Sequence, residues 1–242
     1  MIELEPGADW RGLQERVAAI LGECGLSAEV GRTLSTVRGV VEVDVFAMDP
    51  ASTPPAVYLC ECKRWSTNVP KAEVKSFRTD VADYGAHFGL FISARGFQSG
   101  ADAVVEKTNV HLLDWIGFQD MFLERWCEQY WIPTVRDKCD GLVAYIDPPS
   151  SDACVRLAHG GKVDPDEAVG ILALGLWGSS YTAMRRPTGL PRPVASSEIW
   201  ALRDKYRDIL PVAAAEATTL RDLLDSLVST ADEWTRARRG DV

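Results

Sequence analysis

Two short apolar runs with charged residues at fixed positions constrain the fold of this chain more than any other feature. The first run, Val41 to Asp44, ends on an acid, and the second, Tyr58 to Trp65, carries Glu61 and Lys63. Residues two apart in a β-strand point to the same face, so we expect Glu61 and Lys63 to project together. If the two runs pair as a hairpin, Asp44 lies alongside them.

The chemistry of these three side chains suggests a metal site. Two carboxylates can hold Mg²⁺, and an adjacent ammonium can orient a water toward a phosphate. Asp44 and Glu61 are therefore candidate metal ligands and catalytic residues, with Lys63 as a third catalytic residue. A buried ion triad without a function would be costly in such apolar strands. The alternative is an exposed Glu61–Lys63 ion pair, with Asp44 capping a strand end.

The order of predicted elements indicates an α/β fold. Hydrophobic periodicity and the Gly and Pro positions predict alternating elements after an initial hairpin, which implies a mixed sheet flanked by helices. In order, the predicted elements are helix 10–24, strands 28–36, 40–46 and 57–64, helix 70–84, strand 89–93, a helix capped by Ser99, and strand 109–113.

The character of the chain changes near Asp120. We predict one domain over residues 1–120, which carries the candidate metal site, and a mostly α-helical domain of unknown role over 121–242. Within the second part, the pattern predicts a helix around 121–130 that ends before Pro133, a strand over 141–146 and a last helix over 219–237.

Composition excludes some classes of protein. A formal net charge of −9 argues against a protein that coats nucleic acid by bulk electrostatics. The most apolar run, 168–177, is too short to span a bilayer, so no membrane association is expected. The six cysteines form no CxxC pair, and we interpret them as reduced thiols of a cytoplasmic protein.

Residues from Trp10 to about Phe118 resemble the Mrr-like branch of the restriction-endonuclease-like, or PD-(D/E)xK, nuclease superfamily. The resemblance rests on several pieces in the correct order rather than on the short charged pattern alone. These pieces are a first helix bearing Glu15, the strand from Gly39 to Asp44, Glu61 to Trp65, the helix with Val69, Val74 and Phe77, Gly89 to Ser93, Gly96 to Ala101, and His111 to Asp114.

The resemblance implies a restriction-endonuclease-like core that hydrolyses phosphodiester bonds with Mg²⁺ or Mn²⁺. By position, Asp44 and Glu61 would hold the metal with help from the Cys62 carbonyl. Lys63 would orient or help deprotonate the attacking water, and Glu15 matches a first-helix acid that often completes the site. Glu61 stands where Mrr-like members commonly carry Gln, and it is the acidic form of the wider superfamily.

The expected function is a metal-dependent endonuclease that cleaves double-stranded DNA in prokaryotic defence. Cutting both strands usually takes two active sites, so we expect a homodimer. Four leucines of the last helix, at 220, 223, 224 and 227, could form its interface or pack within the chain. Residues 121–242 could bind a partner protein. Two alternatives stay open: a non-cleaving scaffold that binds a protein or nucleic acid, and an RNA-cleaving enzyme on the same fold.

Overall fold

A computed structural model describes residues 1–143, 195–205, 207–208 and 210–239 of the chain. The chain folds as two compact units, Leu4–Phe122 and a second unit formed by Met1–Glu3 with Leu123–Val242. That residues 1–120 and 121–242 form separate domains stays a prediction.

The unit Leu4–Phe122 begins with helix α1 (Trp10–Glu23). Asp9 caps this helix, because its Oδ1 accepts the Gly12 N–H at 2.8 Å. The buried stripe of α1 consists of Leu13, Gln14, Val17, Ile20 and Leu21.

A five-stranded mixed sheet follows, in the spatial order β1-β2-β3-β4-β5. Strands β1, β2 and β3 pair antiparallel, and β3, β4 and β5 pair parallel. The strand bounds are β1 Ser27–Thr36, β2 Gly39–Asp49, β3 Ala56–Lys63, β4 Phe88–Ser93 and β5 Val110–Leu113. This sheet confirms the predicted α/β class.

Helices cover both faces of the sheet centre. Helix α2 (Lys71–Tyr84) makes the crossover between the parallel strands β3 and β4. Its Phe77 ring packs edge-on against Phe91 of β4, with ring centroids 5.3 Å apart. Because Leu90, Phe91 and Ile92 are all fully buried in succession, both faces of β4 are covered in the middle of the strand.

The prediction of a helix capped by Ser99 is wrong in detail. Helix α3 (Asp102–Val105) is one turn long, begins after Ala101 and has no side-chain cap. The Ala101 N–H instead donates to the Gln98 carbonyl, so the segment containing Ser99 is a turn before the helix.

The second unit is helical in the part that the structure describes. Helix α4 (Trp115–Trp126), most of which belongs to the unit Leu4–Phe122, runs into a π-helical turn (Cys127–Trp131) and then α5 (Ile132–Val143). The remaining helices are α6 Ser196–Lys205, α7 Val212–Ala215 and α8 Leu220–Arg239. The mainly helical C-terminal region is thus confirmed, and no described helix is long and apolar enough to cross a membrane.

Two local predictions for this region are wrong. Pro133 does not end a helix but lies in α5 just after the π-helical turn, where the preceding Ile132 N–H donates to the Cys127 carbonyl. Residues 141–143 belong to α5 rather than to a strand, since strand propensity yields readily to context. Residues 144–146 of that predicted strand lie outside the described residues.

The leucines of α8 pack within their own chain. Leu220, Leu223, Leu224 and Leu227 are each at most 3% exposed. The Leu220 carbonyl also accepts the indole N–H of Trp131 at 3.0 Å. The leucine face therefore packs within the chain, which is the second of the two predicted alternatives, and these four side chains are not exposed for a dimer interface.

Candidate metal-dependent nuclease site

The structure places Asp44 where the regular pairing of β2 is interrupted. The β2–β3 ladder ends at the pair Val45–Cys60, and beyond it Asp44 Oδ2 accepts the backbone N–H of Cys62 at 2.7 Å. On the other side of β2, the register passes from Val30–Val45 to Arg32–Val43. The intervening Gly31 adopts a φ of +69°, which glycine tolerates best. A carboxylate thus takes the place of a main-chain acceptor in the sheet.

Gln14 fixes the second oxygen of Asp44. Its Nε2 donates to Asp44 Oδ1 at 2.7 Å, and the Gln14 residue is only 6% exposed. With both oxygens held, the carboxylate has a defined orientation. Gln14 was not among the predicted site residues, although a polar side chain within the buried stripe of α1 was a sign that it contacts something specific.

Glu61 and Lys63 project together from the end of β3, as the strand period predicts. Lys63 Nζ donates to Glu61 Oε1, and each side chain is 20% exposed. Glu61 Oε2 receives no hydrogen bond from the residues that the structure describes, so it stays open to a ligand. Lys63 Nζ also lies 5.6 Å from the ring centroid of Trp65.

Burial raises the pKa of both carboxyl groups, and a neighbouring negative charge adds to it in each case, Glu42 for Asp44 and Asp44 for Glu61. Burial raises the pKa of Asp44 most, and the hydrogen bond from the Cys62 N–H and the charge of Lys63 only partly offset this. Burial also raises the pKa of Glu61, and the negative charge of Asp44 adds to the effect. The two acids therefore lie close enough to feel each other's charge, and a bound cation would relieve that repulsion.

The pKa of Lys63 is raised. Burial works to lower it, but the hydrogen bond to Glu61 and the charges of Glu61 and Asp44 outweigh that effect. Lys63 therefore carries its proton firmly at neutral pH.

A further acid stands near the site. Glu73, in the first turn of α2, raises the pKa of both Glu61 and Lys63 through its charge. Asp44, Glu61 and Glu73 together exceed the single positive charge of Lys63. Sequence analysis did not single out Glu73, because its position depends on where α2 begins relative to the end of β3.

Glu15 and Cys62 are placed differently from the three central residues. The Glu15 side chain is 61% exposed and pairs with Arg11 at 3.3 Å, so it is not one of the contacts of Asp44. Cys62 joins the site through its backbone, while burial raises the pKa of its thiol well above the usual value. A thiolate ligand is therefore disfavoured, whereas the carbonyl of Cys62 is not affected. The roles of both residues stay predictions.

The donor set fits a magnesium ion better than a softer metal. Among the described residues, no group of three or more His, Cys, Asp or Glu side chains forms a metal cluster. Mg²⁺ does not require one, since it is usually held by one or two carboxylates together with waters and substrate phosphates. Asp44, the open oxygen of Glu61 and the Cys62 carbonyl are hard oxygen donors of this kind.

Comparisons with known proteins agree with this geometry. Residues 7–122 match the family Mrr_cat, described as restriction endonuclease. No curated protein matches the chain. A structure titled "Crystal Structure of Protein of Unknown Function AF1548" resembles 95% of this chain and 100% of its own, at 13% identity and a TM-score of 0.41, a likeness too distant to inform function. This match over residues 7–122, just under half of the chain, confirms the resemblance to the Mrr-like restriction endonuclease family and supports a nuclease.

Proposed function

We propose that this protein is a Mg²⁺-dependent endonuclease that hydrolyses DNA phosphodiester bonds in prokaryotic defence against foreign DNA. The observation that carries the proposal is the cluster at the end of β3. Two half-buried carboxylates with raised pKa values, Asp44 and Glu61, lie beside the protonated Lys63. Their mutual repulsion is a cost to the folded protein that a divalent cation removes.

Asp44, Glu61 and the Cys62 carbonyl would hold Mg²⁺ or Mn²⁺. When bound, such an ion polarises a phosphate oxygen and lowers the pKa of a coordinated water. Gln14 and the Cys62 N–H position the Asp44 carboxylate before any ligand arrives, because each donates to one of its oxygens. This arrangement supplies the preorganisation that phosphoryl-transfer sites depend on.

Lys63 acts in this proposal as a positive charge and a hydrogen-bond donor rather than as a base. An ammonium whose pKa is raised is a poor acceptor for the proton of an attacking water. It can instead orient that water through its lone pair and offset the negative charge that grows on the phosphate.

A cleavage assay tests the proposal. Plasmid and linear DNA are incubated with Mg²⁺ or Mn²⁺ and wild type, Asp44→Ala, Lys63→Ala or the control Lys138→Ala. We expect metal-dependent cutting by wild type and the control, and its loss in the two site variants. Equal cutting by all four proteins, or cutting in the absence of metal, would contradict the proposal.

The two alternative functions are separated by further measurements. Calorimetric titration with Mn²⁺ distinguishes the scaffold, because a scaffold shows no heat that depends on Asp44 and Glu61. Supplying a labelled RNA strand in parallel with the matching DNA identifies the substrate, and preferential cutting of the RNA would replace DNA in the proposal.

We also propose that two copies act together, that residues 121–242 bind a partner protein, and that the enzyme works in the cytoplasm. Two copies supply one site for each strand of a duplex. The proposed compartment is supported by the buried thiols of Cys60 and Cys62, which form no disulfide, since such thiols persist where the environment is reducing. Light scattering that gives the mass of a monomer at working concentrations would remove the dimer from the proposal.

A further inference from the structure

A cleft of about 590 Å³ opens beside the proposed metal site, inside the unit Leu4–Phe122. Its walls come from the segments directly after three adjacent parallel strands: Arg64 and Trp65 after β3, Arg95 after β4, and Trp115 after β5. In open α/β sheets, the carboxyl ends of parallel strands are where ligands bind. The volume suits a small organic ligand rather than an ion.

The lining of the cleft combines exposed apolar surface with two arginines and two acids, Glu5 and Asp114. Leu4 is 56% exposed, Trp65 40% and Ile116 52%, and all three line the cleft. Large apolar side chains exposed together in a concave wall usually mark a binding site. Arg64 and Arg95 add two guanidinium groups, which suit phosphate oxygens.

An unsatisfied donor supplies a second, independent observation. Trp115 is 6% exposed, and its buried indole N–H has no hydrogen-bond acceptor among the residues that the structure describes. Leaving such a donor unpaired costs free energy, so unpaired groups occur chiefly at functional positions. Trp115 is one of the residues that line the cleft, so this unsatisfied donor belongs to a residue of its wall.

Trp65 links the cleft to the metal site. The Lys63 ammonium lies 5.6 Å from the centroid of the Trp65 ring, and Trp65 also lines the cleft. A group stacked on Trp65 would therefore lie next to the phosphate on which Lys63 acts.

We propose that the cleft binds one unstacked nucleotide next to the scissile phosphate. Trp65 stacks on its base, and Arg64 and Arg95 contact the flanking phosphates. Aromatic stacking with arginine contacts to the backbone is how proteins hold unpaired nucleotides. Glu5 and Asp114, which also line the cleft, offer acceptors for amino groups of a base. That the nucleotide is part of a DNA strand rests on the proposed nuclease function. The same contacts also suit a free nucleotide.

The test uses full-length protein in the non-cutting Asp44→Asn background. Labelled oligonucleotides, each with one abasic position, are bound in Mg²⁺ and followed by fluorescence anisotropy. Trp65→Ala and Arg95→Gln remove the proposed contacts. Trp10→Ala and Arg38→Gln are matched controls, because these side chains are 61% and 72% exposed and neither lines the cleft. Deoxyadenosine monophosphate is titrated separately by calorimetry.

We expect one abasic position to weaken binding about tenfold or more in the Asp44→Asn parent and in both control variants. In Trp65→Ala that position should have no further effect, since the stacking partner is already gone. Arg95→Gln should bind every oligonucleotide more weakly and reduce the salt slope by about one.

Each other outcome decides the inference. If Trp65→Ala and Arg95→Gln match the parent with every oligonucleotide and with the mononucleotide, the cleft is not a nucleotide site, whatever the cleavage assay shows. If the parent binds neither the oligonucleotides nor the mononucleotide, the inference is overturned as well. If the mononucleotide binds in a way that needs Trp65 but the wild type cuts no DNA, the cleft is a nucleotide site and the proposed nuclease function is wrong.

Discussion

Lys63 and Lys138 each pair with a carboxylate, one in each compact unit, and the two pairs have different surroundings. Lys63 and Glu61 are 20% exposed, whereas Lys138 and its partner Asp232 are 36% and 44% exposed. Lys138 joins α5 to α8 through a direct hydrogen bond of 2.9 Å. Both lysines have a raised pKa, but burial opposes the rise substantially only at Lys63.

The two ion pairs differ in the charges that surround them. The Lys138 pair sits in solvent, which screens it and leaves little free energy in the contact. The Lys63 pair adjoins Asp44 and Glu73, so its acids outnumber its cation where solvent is partly excluded. Similar ion pairs thus form a surface contact in one unit and part of the proposed cation site in the other. Burial and acid surplus, rather than the ion pair itself, indicate function.

The largest effect is expected at Lys63. Lys63→Gln should lower the rate of DNA cleavage about 10²–10³-fold, because the transition-state charge loses its stabilising partner. Lys63→Arg should retain more activity than Lys63→Gln, since it keeps the positive charge, and Lys138→Gln should leave the rate unchanged. Single-turnover rates measure all three. An inactive Lys63→Arg with a fully active Lys63→Gln would contradict a purely electrostatic role.

Metal affinity should depend on pH through Asp44 and Glu61. Protons compete with the cation for these carboxylates, so Mn²⁺ binding should weaken as pH is lowered through their raised pKa values, approaching about tenfold per unit for each proton displaced. Calorimetry between about pH 5 and pH 8 measures the dependence. Asp232→Asn, as a control, should follow the wild-type curve, and a pH-independent affinity in wild type would contradict a carboxylate site.

Without metal, the same acids should lower stability as pH rises. Their pKa values are higher in the folded than in the unfolded state, so the folded protein binds more protons between those values. The free energy of unfolding therefore falls as pH rises through that window and is level above it. Glu61→Gln should remove part of this fall, as urea titrations in a chelator would show. A stability that instead rises with pH more steeply in wild type than in Glu61→Gln would reverse the sign.

The smallest effect is expected at the other pair. Lys138→Gln should shift the apparent unfolding temperature by no more than about 2 °C, because an exposed ion pair contributes little. Thermal unfolding followed by circular dichroism measures it. A much larger drop would show that solvent exposure is a poor guide to the difference between the two pairs.

The sequence predicted the elements of the sheet well because their determinants are local. Alternation along β2 and β3, the Pro-rich loop between them and the helical spacing of α1 are all visible within short windows. The pairing of Glu61 with Lys63 follows from the two-residue strand period alone. These features made the approach of Asp44 to that pair predictable from the hairpin.

The contacts that complete the site could not be predicted in this way. Gln14 reaches Asp44 across 30 residues, so its partner depends on how α1 packs on the sheet. The influence of Glu73 depends on where α2 starts, and the pairing of Glu15 with Arg11 depends on their spacing in α1. Similarly, Pro133 follows a π-helical turn, a backbone form for which the sequence carries no simple pattern.

Asp44→Asn tests the central claim most directly, because it separates the effect of the excess negative charge on stability from its role in cleavage. Asn can keep both hydrogen bonds if the Gln14 amide turns over, while the charge is lost. We predict that metal-dependent cleavage disappears while the free energy of unfolding in a chelator rises by roughly 1 kcal/mol, with Asp232→Asn changing neither. A variant that cuts DNA like wild type, with unchanged stability, would contradict the account.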